Sequence, residues 1–430
     1  MENNIGIFEN VNKDLYFIGD IHGDFYALKQ ALELTGCINF ENQIFEDICK
    51  EHINGIILKD GCEYYQNKVK WNSKKNDTII VFAGDLIDRC RKTNNETCGF
   101  VVNDEDCDNQ IINLLLELDN QANKYNSRVL FVLGNHELMN LQNKLKYVSF
   151  KGALNNNRID NIKTSIINNI DRIYGLIKIN NYIICHGGIN PHFVKNYNIG
   201  YKNTNFISSY NEQLRESLLS DEPNYDLFNN SQSPFWDRTN GSDEQKLTNE
   251  ECEILFGTNN ILNINNLKIV VAHCPQINNN PGLGINLTNC GNHKESIWRL
   301  DVSMSRAFDM YRYDDNFIQT KLLSLENENI LDFYIKRNEK INSVQILKIC
   351  KDDNEEIIIG ILSLLYFYDT VFLHNHKHKY LYLLQDLLNS YLKKDENLDE
   401  ITIKLIKNKK EELFNELYPK DKNGTITIQI

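Results

Sequence analysis

Leu15-Tyr16-Phe17-Ile18 runs straight into Gly19-Asp20-Ile21-His22-Gly23, and this junction decides the fold. A short apolar run without helical spacing reads as a strand buried on both faces. It stops at Asp20 and His22, two metal-capable residues between glycines that let the backbone turn tightly. The arrangement recurs along the chain. Thr78-Ile79-Ile80-Val81-Phe82 leads to Gly84-Asp85, and Arg128-Val129-Leu130-Phe131-Val132 leads to Gly134-Asn135. Tyr182-Ile183-Ile184-Cys185 leads to His186, and Leu267-Lys268-Ile269-Val270-Val271 leads to Ala272-His273. One such junction is an ordinary turn or helix cap; five in succession point to a shared site. Between the runs, Phe25, Leu28, Ala31 and Leu32 form a helical stripe over Phe25 to Leu34, and Ile111 to Leu118 is similar. Strands alternating with helices predict an α/β core, in which ligands bind beyond the carboxyl ends of the strands.

The remaining sequence bounds the rest of the molecule. Of 430 residues, 41% are hydrophobic, enough for a substantial core. A formal net charge of −13 argues against sequence-independent binding to nucleic acid, which needs clustered Lys and Arg. No apolar run is long enough for a bilayer, and Met1 to Asn10 lacks the basic start and apolar stretch of a signal peptide. The chain is therefore expected to be soluble and cytoplasmic. Its 11 cysteines, without a C-x-x-C pair, are expected as reduced thiols. The spacing of Cys90, Cys98 and Cys107 is not diagnostic of zinc.

A catalytic unit is expected over residues 1–350, closed by a strand from Ser343 to Ile349. Residues 351–430 read as a small, mainly helical appendage, with Leu381, Leu384, Leu388 and Leu392 on one face. Polar insertions are expected over 39–76 and 91–108, and a helical cap near Tyr210 to Leu219 within a long segment from Asn196 to Glu253. His374, His376 and His378 read as a solvated loop interleaved with Lys.

The motifs supply what hydrolysis of a phosphate ester requires. Two divalent metals roughly 3.5–4 Å apart generate hydroxide at neutral pH and clamp phosphate oxygens. Asp20 and His22 together suit one metal, Asp85 is the natural bridging carboxylate, and Asn135, His186 and His273 suit the second. Arg89 is placed to fork onto phosphate. His136, next to a ligand, is the expected general acid for the departing alkoxide, with Asp88 to orient it. Mixed O/N ligands leave the metal open; manganese is the expected ion, with iron and zinc as alternatives.

Gly19-Asp20-Ile21-His22-Gly23, Gly84-Asp85-Leu86-Ile87-Asp88-Arg89, Gly134-Asn135-His136-Glu137 and His186-Gly187-Gly188 resemble the signatures of the phosphoprotein phosphatases, within the calcineurin-like metallophosphoesterase superfamily. The resemblance runs from about residue 14 to 350 and is nearest to the Shewanella-like and ApaH-like types. Ser233-Pro234-Phe235-Trp236-Asp237-Arg238 and Leu300-Asp301-Val302-Ser303-Met304-Ser305-Arg306 resemble later elements of those types. The resemblance implies a β-sandwich of two mixed sheets flanked by helices, and in-line attack by a metal-bridging hydroxide without a phosphoenzyme. It implies the ligand set above, with Arg89 and Arg238 on phosphate and His136 and Asp88 as the acid pair. Two departures stand out: Cys90 replaces the Gly common after the Arg, and Ser303 stands where Gly is usual. The expected substrate is a phosphorylated protein, at Ser/Thr or Tyr, or a small phosphate compound. The alternative is a phosphoanhydride such as a dinucleotide polyphosphate or an RNA cap, for which Arg91 and Lys92 would add cations; only then is nucleic acid a partner. A non-catalytic binding module would be expected to have lost a ligand or the acid, and neither is lost here.

Overall fold

The computed structural model describes residues 4–40, 69–91, 107–153, 155–201, 205–276, 285–305, 307–308, 343–351 and 356–362. In chain order the strands are β1 (Ile7–Phe8), β2 (Asp14–Ile18), β3 (Ile38–Phe40), β4 (Val69–Trp71), β5 (Thr78–Phe82) and β6 (Arg128–Phe131). They continue as β7 (Leu176–Ile179), β8 (Tyr182–Cys185), β9 (Lys268–Val271), β10 (Asn286–Cys290), β11 (His293–Arg299), β12 (Ser343–Ile349) and β13 (Glu356–Leu362). The helices used below are α1 (Phe25–Leu34), α2 (Asp108–Asn123), α3 (Asn135–Leu141), α4 (Arg158–Ile167), α5 (Pro191–Tyr201), α6 (Phe206–Leu219) and α7 (Asn249–Phe256).

Two mixed sheets share one apolar core. One has the order β13-β12-β2-β5-β6, with β2, β5 and β6 parallel and β12 antiparallel to β2. The other has the order β1-β7-β8-β9-β11-β10, with β8, β9 and β11 parallel. The five strands read from apolar runs are β2, β5, β6, β8 and β9. All are buried nearly throughout, because both faces are covered. The two sheets meet through residues such as Phe17 and Tyr182, whose ring centroids lie 5.9 Å apart. Each fully buried Phe here, such as Phe17 or Phe82, stabilises the fold by roughly 1.5–3 kcal/mol. Parallel β2, β5 and β6 bring the Asp20, Asp85 and Asn135 loops to one edge of the first sheet. Parallel β8 and β9 bring His186 and His273 to the matching edge of the second.

Expectation and structure differ in two places. The cysteines are not all reduced: Cys252 on α7 and Cys290 on β10 form a disulfide, and Cys90 and Cys107 are also disulfide-bonded. The reason is spatial. Helix α7 lies on the β10–β11 hairpin and brings two α-carbons that are 38 positions apart in sequence to 5.5 Å, within bonding range. Among the described residues, Cys37, Cys185, Cys274 and Cys350 are thiols. The sheet also extends past residue 350, since β13 pairs with β12 over its whole length, from Ser343↔Leu362 to Ile349↔Glu356. The boundary expected there falls in the turn of that hairpin. The leucine stripe at 381–392, the alternating histidines at 374–378, and most of the 39–76 and 91–108 insertions lie outside the described residues. The helix expected near Tyr210 is present as α6. Among the described residues, no helix is long and apolar enough to cross a membrane.

Candidate active site

The site is assembled by loops that hold one another through backbone groups. The Asp85 carbonyl accepts from the N–H groups of Ile21 (3.0 Å) and His22 (2.9 Å), locking the first loop onto the second. The second is in turn stapled to α3 by Glu137. Its carboxylate accepts from the N–H groups of Asp85 (3.0 Å), Leu86 (2.8 Å), Ile87 (3.2 Å) and Gly134 (2.6 Å). Gly134 is required by contact: a Cβ there would sit 2.3 Å from the Asp85 nitrogen. His22, Asp85, Asp88 and His273 all have positive φ, at 47°, 49°, 72° and 64°. Such conformations disfavour residues with a Cβ, and their concentration here marks strain held by the loop contacts.

At the centre lies Asp85. Its Oδ1 accepts from the His136 N–H at 3.0 Å, in the first turn of α3. That leaves Oδ2 facing three imidazoles: His186 Nε2 at 3.2 Å, His136 Nε2 at 3.6 Å and His22 Nε2 at 3.8 Å. Burial opposes the charge on Asp85, yet His136, His186 and His22 outweigh it and hold the carboxyl well below the usual range. Asp20 Oδ2 approaches His22 Nε2 at 3.5 Å, and Asn135 Oδ1 lies 2.8 Å from His186 Nε2. His273 Nδ1 lies 3.1 Å from the same nitrogen. The six expected ligands, Asp20, His22, Asp85, Asn135, His186 and His273, are thus gathered in one buried cluster.

The cluster is built for cations. His22 and His186 place Nδ1 against the carbonyls of Ile87 and Ala83. A carbonyl only accepts, so in the neutral rings Nδ1 carries the proton and Nε2 presents a lone pair to the centre. There the His186 lone pair meets oxygens of Asp85 and Asn135, an arrangement that a cation or a proton must relieve. Burial opposes a charge on His186, but Asp85 and the Ala83 carbonyl raise its pKa. Burial, and next Arg91, push His22 well below the usual imidazole range; burial, His186 and Arg238 do the same to His273. Asp20 Oδ2 and His273 Nε2 are buried without a hydrogen-bond partner. Among the described residues, His22-Asp85-His136 and Asp85-His186-His273 form two groups whose ligand atoms lie within 4.8 Å of one another, sharing Asp85.

The two residues expected as the acid pair also meet, with His136 Nδ1 2.9 Å from Asp88 Oδ2. The arginines are placed differently. Arg89 is buried, with Nη1 donating to the Gly23 carbonyl at 3.2 Å and Nη2 3.7 Å from Asp24. Arg238 is exposed, 3.6 Å from Cys274 Sγ, beside His273. Trp236 is half-buried with its ring edge-on to His273 at 6.3 Å. Four residues near the site had been given no role. Asp301, directly after β11, sits against Asp20, and burial raises its carboxyl to about 6. Ile297-Trp298-Arg299-Leu300 leads to this acid much as at the other junctions, but Arg299 interrupts the apolar run that marks them. Asn140 lies one turn after His136 on α3, a spacing that shares a face. Asp108 and Arg158 carry no local signal.

The comparisons with known proteins decide the family. The model of the calcineurin-like phosphoesterases matches residues 14–273. The chain belongs to the calcineurin-like phosphoesterases. The family is built on dinuclear metal sites, and the donor set above fits one. Similar proteins include Shewanella-like protein phosphatase 1 of Plasmodium berghei (strain Anka), 26% identical over 194 residues, 43% of this chain. This alignment spans 41% of the Plasmodium protein's length. An uncharacterised protein of Acanthamoeba polyphaga mimivirus is 26% identical over 224 residues, 45% of this chain and 88% of the viral one. Among solved structures, the cold-active protein-tyrosine phosphatase of a psychrophilic Shewanella species is similar, with a TM-score of 0.48, 18% identity and 82% of each chain covered.

Proposed function

We propose that this phosphoesterase is a protein phosphatase of the serine/threonine type, cleaving phosphomonoesters of a phosphorylated protein. The observation that carries the reading is the joint placement of Asp85 and His136. The bridging-type carboxylate and the Asp88-backed imidazole face each other at 3.6 Å, so a phosphate ester held beside Asp85 would have an acid next to its leaving oxygen. Asp20, His22 and Asp85 would hold one metal, and Asp85, Asn135, His186 and His273 the other, with manganese as the proposed ion. When bound, the pair supplies an activated water and positive charge against the phosphate oxygens. The chain's own residues do the rest. Asp88 accepts from His136 Nδ1 and keeps Nε2 turned inward, where it gives its proton to the departing oxygen. Arg238, exposed at the rim, receives the phosphate. Arg89, held beside Gly23 and Asp24 on the Asp20 loop, is the second arginine proposed for the phosphate.

A second reading, hydrolysis of a phosphoanhydride, is favoured by Arg91. It is nearly buried between the rings of Phe308 (4.7 Å) and Tyr147 (5.8 Å), rings that also touch His22 and His136. A second phosphate could meet it there. The test is turnover of phosphoserine, phosphothreonine and phosphotyrosine peptides beside a dinucleotide polyphosphate and capped RNA, with Mn added. Phosphopeptide hydrolysis lost on Asp85→Asn is expected; turnover confined to the anhydrides would reject the first reading.

A further inference from the structure

Asp88 is tied down from two sides. Its Oδ2 faces His136 Nδ1. Its Oδ1 accepts from Arg158 Nη2 at 2.9 Å, the first residue of α4. Asn140 Nδ2 reaches both oxygens at 2.9 Å, and the Arg158 Nε donates to Asn140 Oδ1 at 3.2 Å. Arg158 Nη2 also pairs with Asp108, whose Oδ2 accepts from the Asp88 N–H at 3.2 Å. Every member is buried: Asp88 and Asn140 are 0% exposed, Arg158 4%, and Asp108 and His136 6%.

Simple stability does not require this arrangement. A buried carboxylate beside an imidazole can rotate about its last bond and present either oxygen, or both partly, to the ring. Here the guanidinium holds Oδ1 and the Asn140 amide grips both oxygens, which fixes the plane of the carboxylate and turns Oδ2 to His136. Asn140 also donates to the His136 carbonyl at 2.9 Å, so the same group fixes backbone and side chain of the acid. Asp108 anchors Arg158 and the Asp88 backbone together. From this network we infer that Arg158 is a positioning residue for proton delivery: through Asp88 it sets the aim of His136 at the leaving oxygen. Asn140 completes the clamp. The inference rests on the reading of His136 as the general acid.

A mispositioned acid has a signature that general loss of structure lacks. Esters with poor leaving groups need the proton, and those with good leaving groups do not. The test uses the full-length, Mn-loaded protein with phenyl phosphate and 2,4-dinitrophenyl phosphate. Arg158→Met alone leaves Asp88 and Asp108 facing each other in the interior and is prone to misfold. Asp108→Asn/Arg158→Met removes one charge of each sign and keeps an acceptor for the Asp88 N–H. For this double variant, kcat on phenyl phosphate is expected to fall about 100-fold, with 2,4-dinitrophenyl phosphate within about threefold of wild type. His136→Ala should show the same selective loss. A second readout, on the diamagnetic Zn-loaded protein, is the downfield imidazole N–H proton resonance assigned by its disappearance in His136→Ala. It should move or broaden in the double variant. An equal loss on both esters, no loss on either, or an unchanged resonance overturns the role of Arg158. If wild type hydrolyses neither ester, or His136→Ala loses both equally, it is the reading beneath the proposal that falls, and the proposal falls with it.

Discussion

At the scale of single residues, Ser303 shows how a departure visible in sequence acquires its meaning in three dimensions. It stands where the resembling phosphatases usually carry Gly, and its φ is +54°. Its N–H caps Asp301 Oδ1 at 2.9 Å, which puts Asp301 against Asp20. Its own Oγ is buried without a partner. A side chain at positive φ costs about 1–2 kcal/mol, an unpaired buried hydroxyl about 1–3, and a Gly gives back about 0.5–1 through the unfolded chain. Ser303→Gly should therefore raise stability by about 1–4 kcal/mol, read as a higher urea midpoint at unchanged slope. A lower midpoint would show that the hydroxyl has a role its surroundings do not reveal. The six expected ligands and the His136–Asp88 pair that the fold gathers could be singled out in the sequence because each lies within a few residues of the end of an apolar run. Arg158 was not, because it opens a polar, Asn-rich helix, and only folding brings it to Asp88.

At the scale of elements, the strands that were readable are those buried on both faces. The β10–β11 hairpin escaped, since Asn-Leu-Thr-Asn-Cys and His-Lys-Glu-Ser-Ile-Trp-Arg are half exposed and carry no apolar run. Strand β7 is fully buried and ends in Asn180-Asn181 before β8, a hairpin signal that was present but unused. Strand β13 lies in the stretch that reads in sequence as the start of an appendage, yet its first residue ties the two sheets together. Glu356 Oε1 accepts from Tyr182 Oη at 2.8 Å and Trp298 Nε1 at 3.0 Å, and Oε2 from Lys268 Nζ at 2.5 Å. Those donors belong to β8, β11 and β9 of the opposite sheet. Glu356→Ala would strand three donors in a largely covered seam. It should lower stability by about 2–4 kcal/mol, since a bond to a charged group is worth about 1.5–3 kcal/mol and an orphaned donor adds to the loss. A midpoint in urea within error of wild type would show that the sheets do not depend on this contact.

At the scale of the whole molecule, the two sheets each deliver part of one charged centre to their shared edge, so metal binding and folding must be linked. Asp20 and Asp85 arrive from one sheet and His186 and His273 from the other, and a cation held by both stabilises their apposition. Saturation at about 100 times Kd adds roughly 2.7 kcal/mol, and stripping with a chelator should lower Tm by several degrees. The pH dependence has a definite sign. Without metal, burial raises the Asp301 carboxyl from 3.8 to about 6, and burial with Asp301 and Asp85 nearby raises Asp20 well above its ordinary value. A carboxyl whose folded pKa exceeds its unfolded one favours folding when protonated, so its contribution is full below 3.8 and is lost as pH rises towards about 6. Metal requires the carboxylates and releases those protons, so its binding strengthens over the same interval. The gain in Tm on adding Mn should therefore be small near pH 4 and grow as pH approaches 7, as followed by calorimetry at fixed metal concentration. A gain that stays constant across that interval would mean that metal binding releases no proton from these carboxyls, against the linkage argued here.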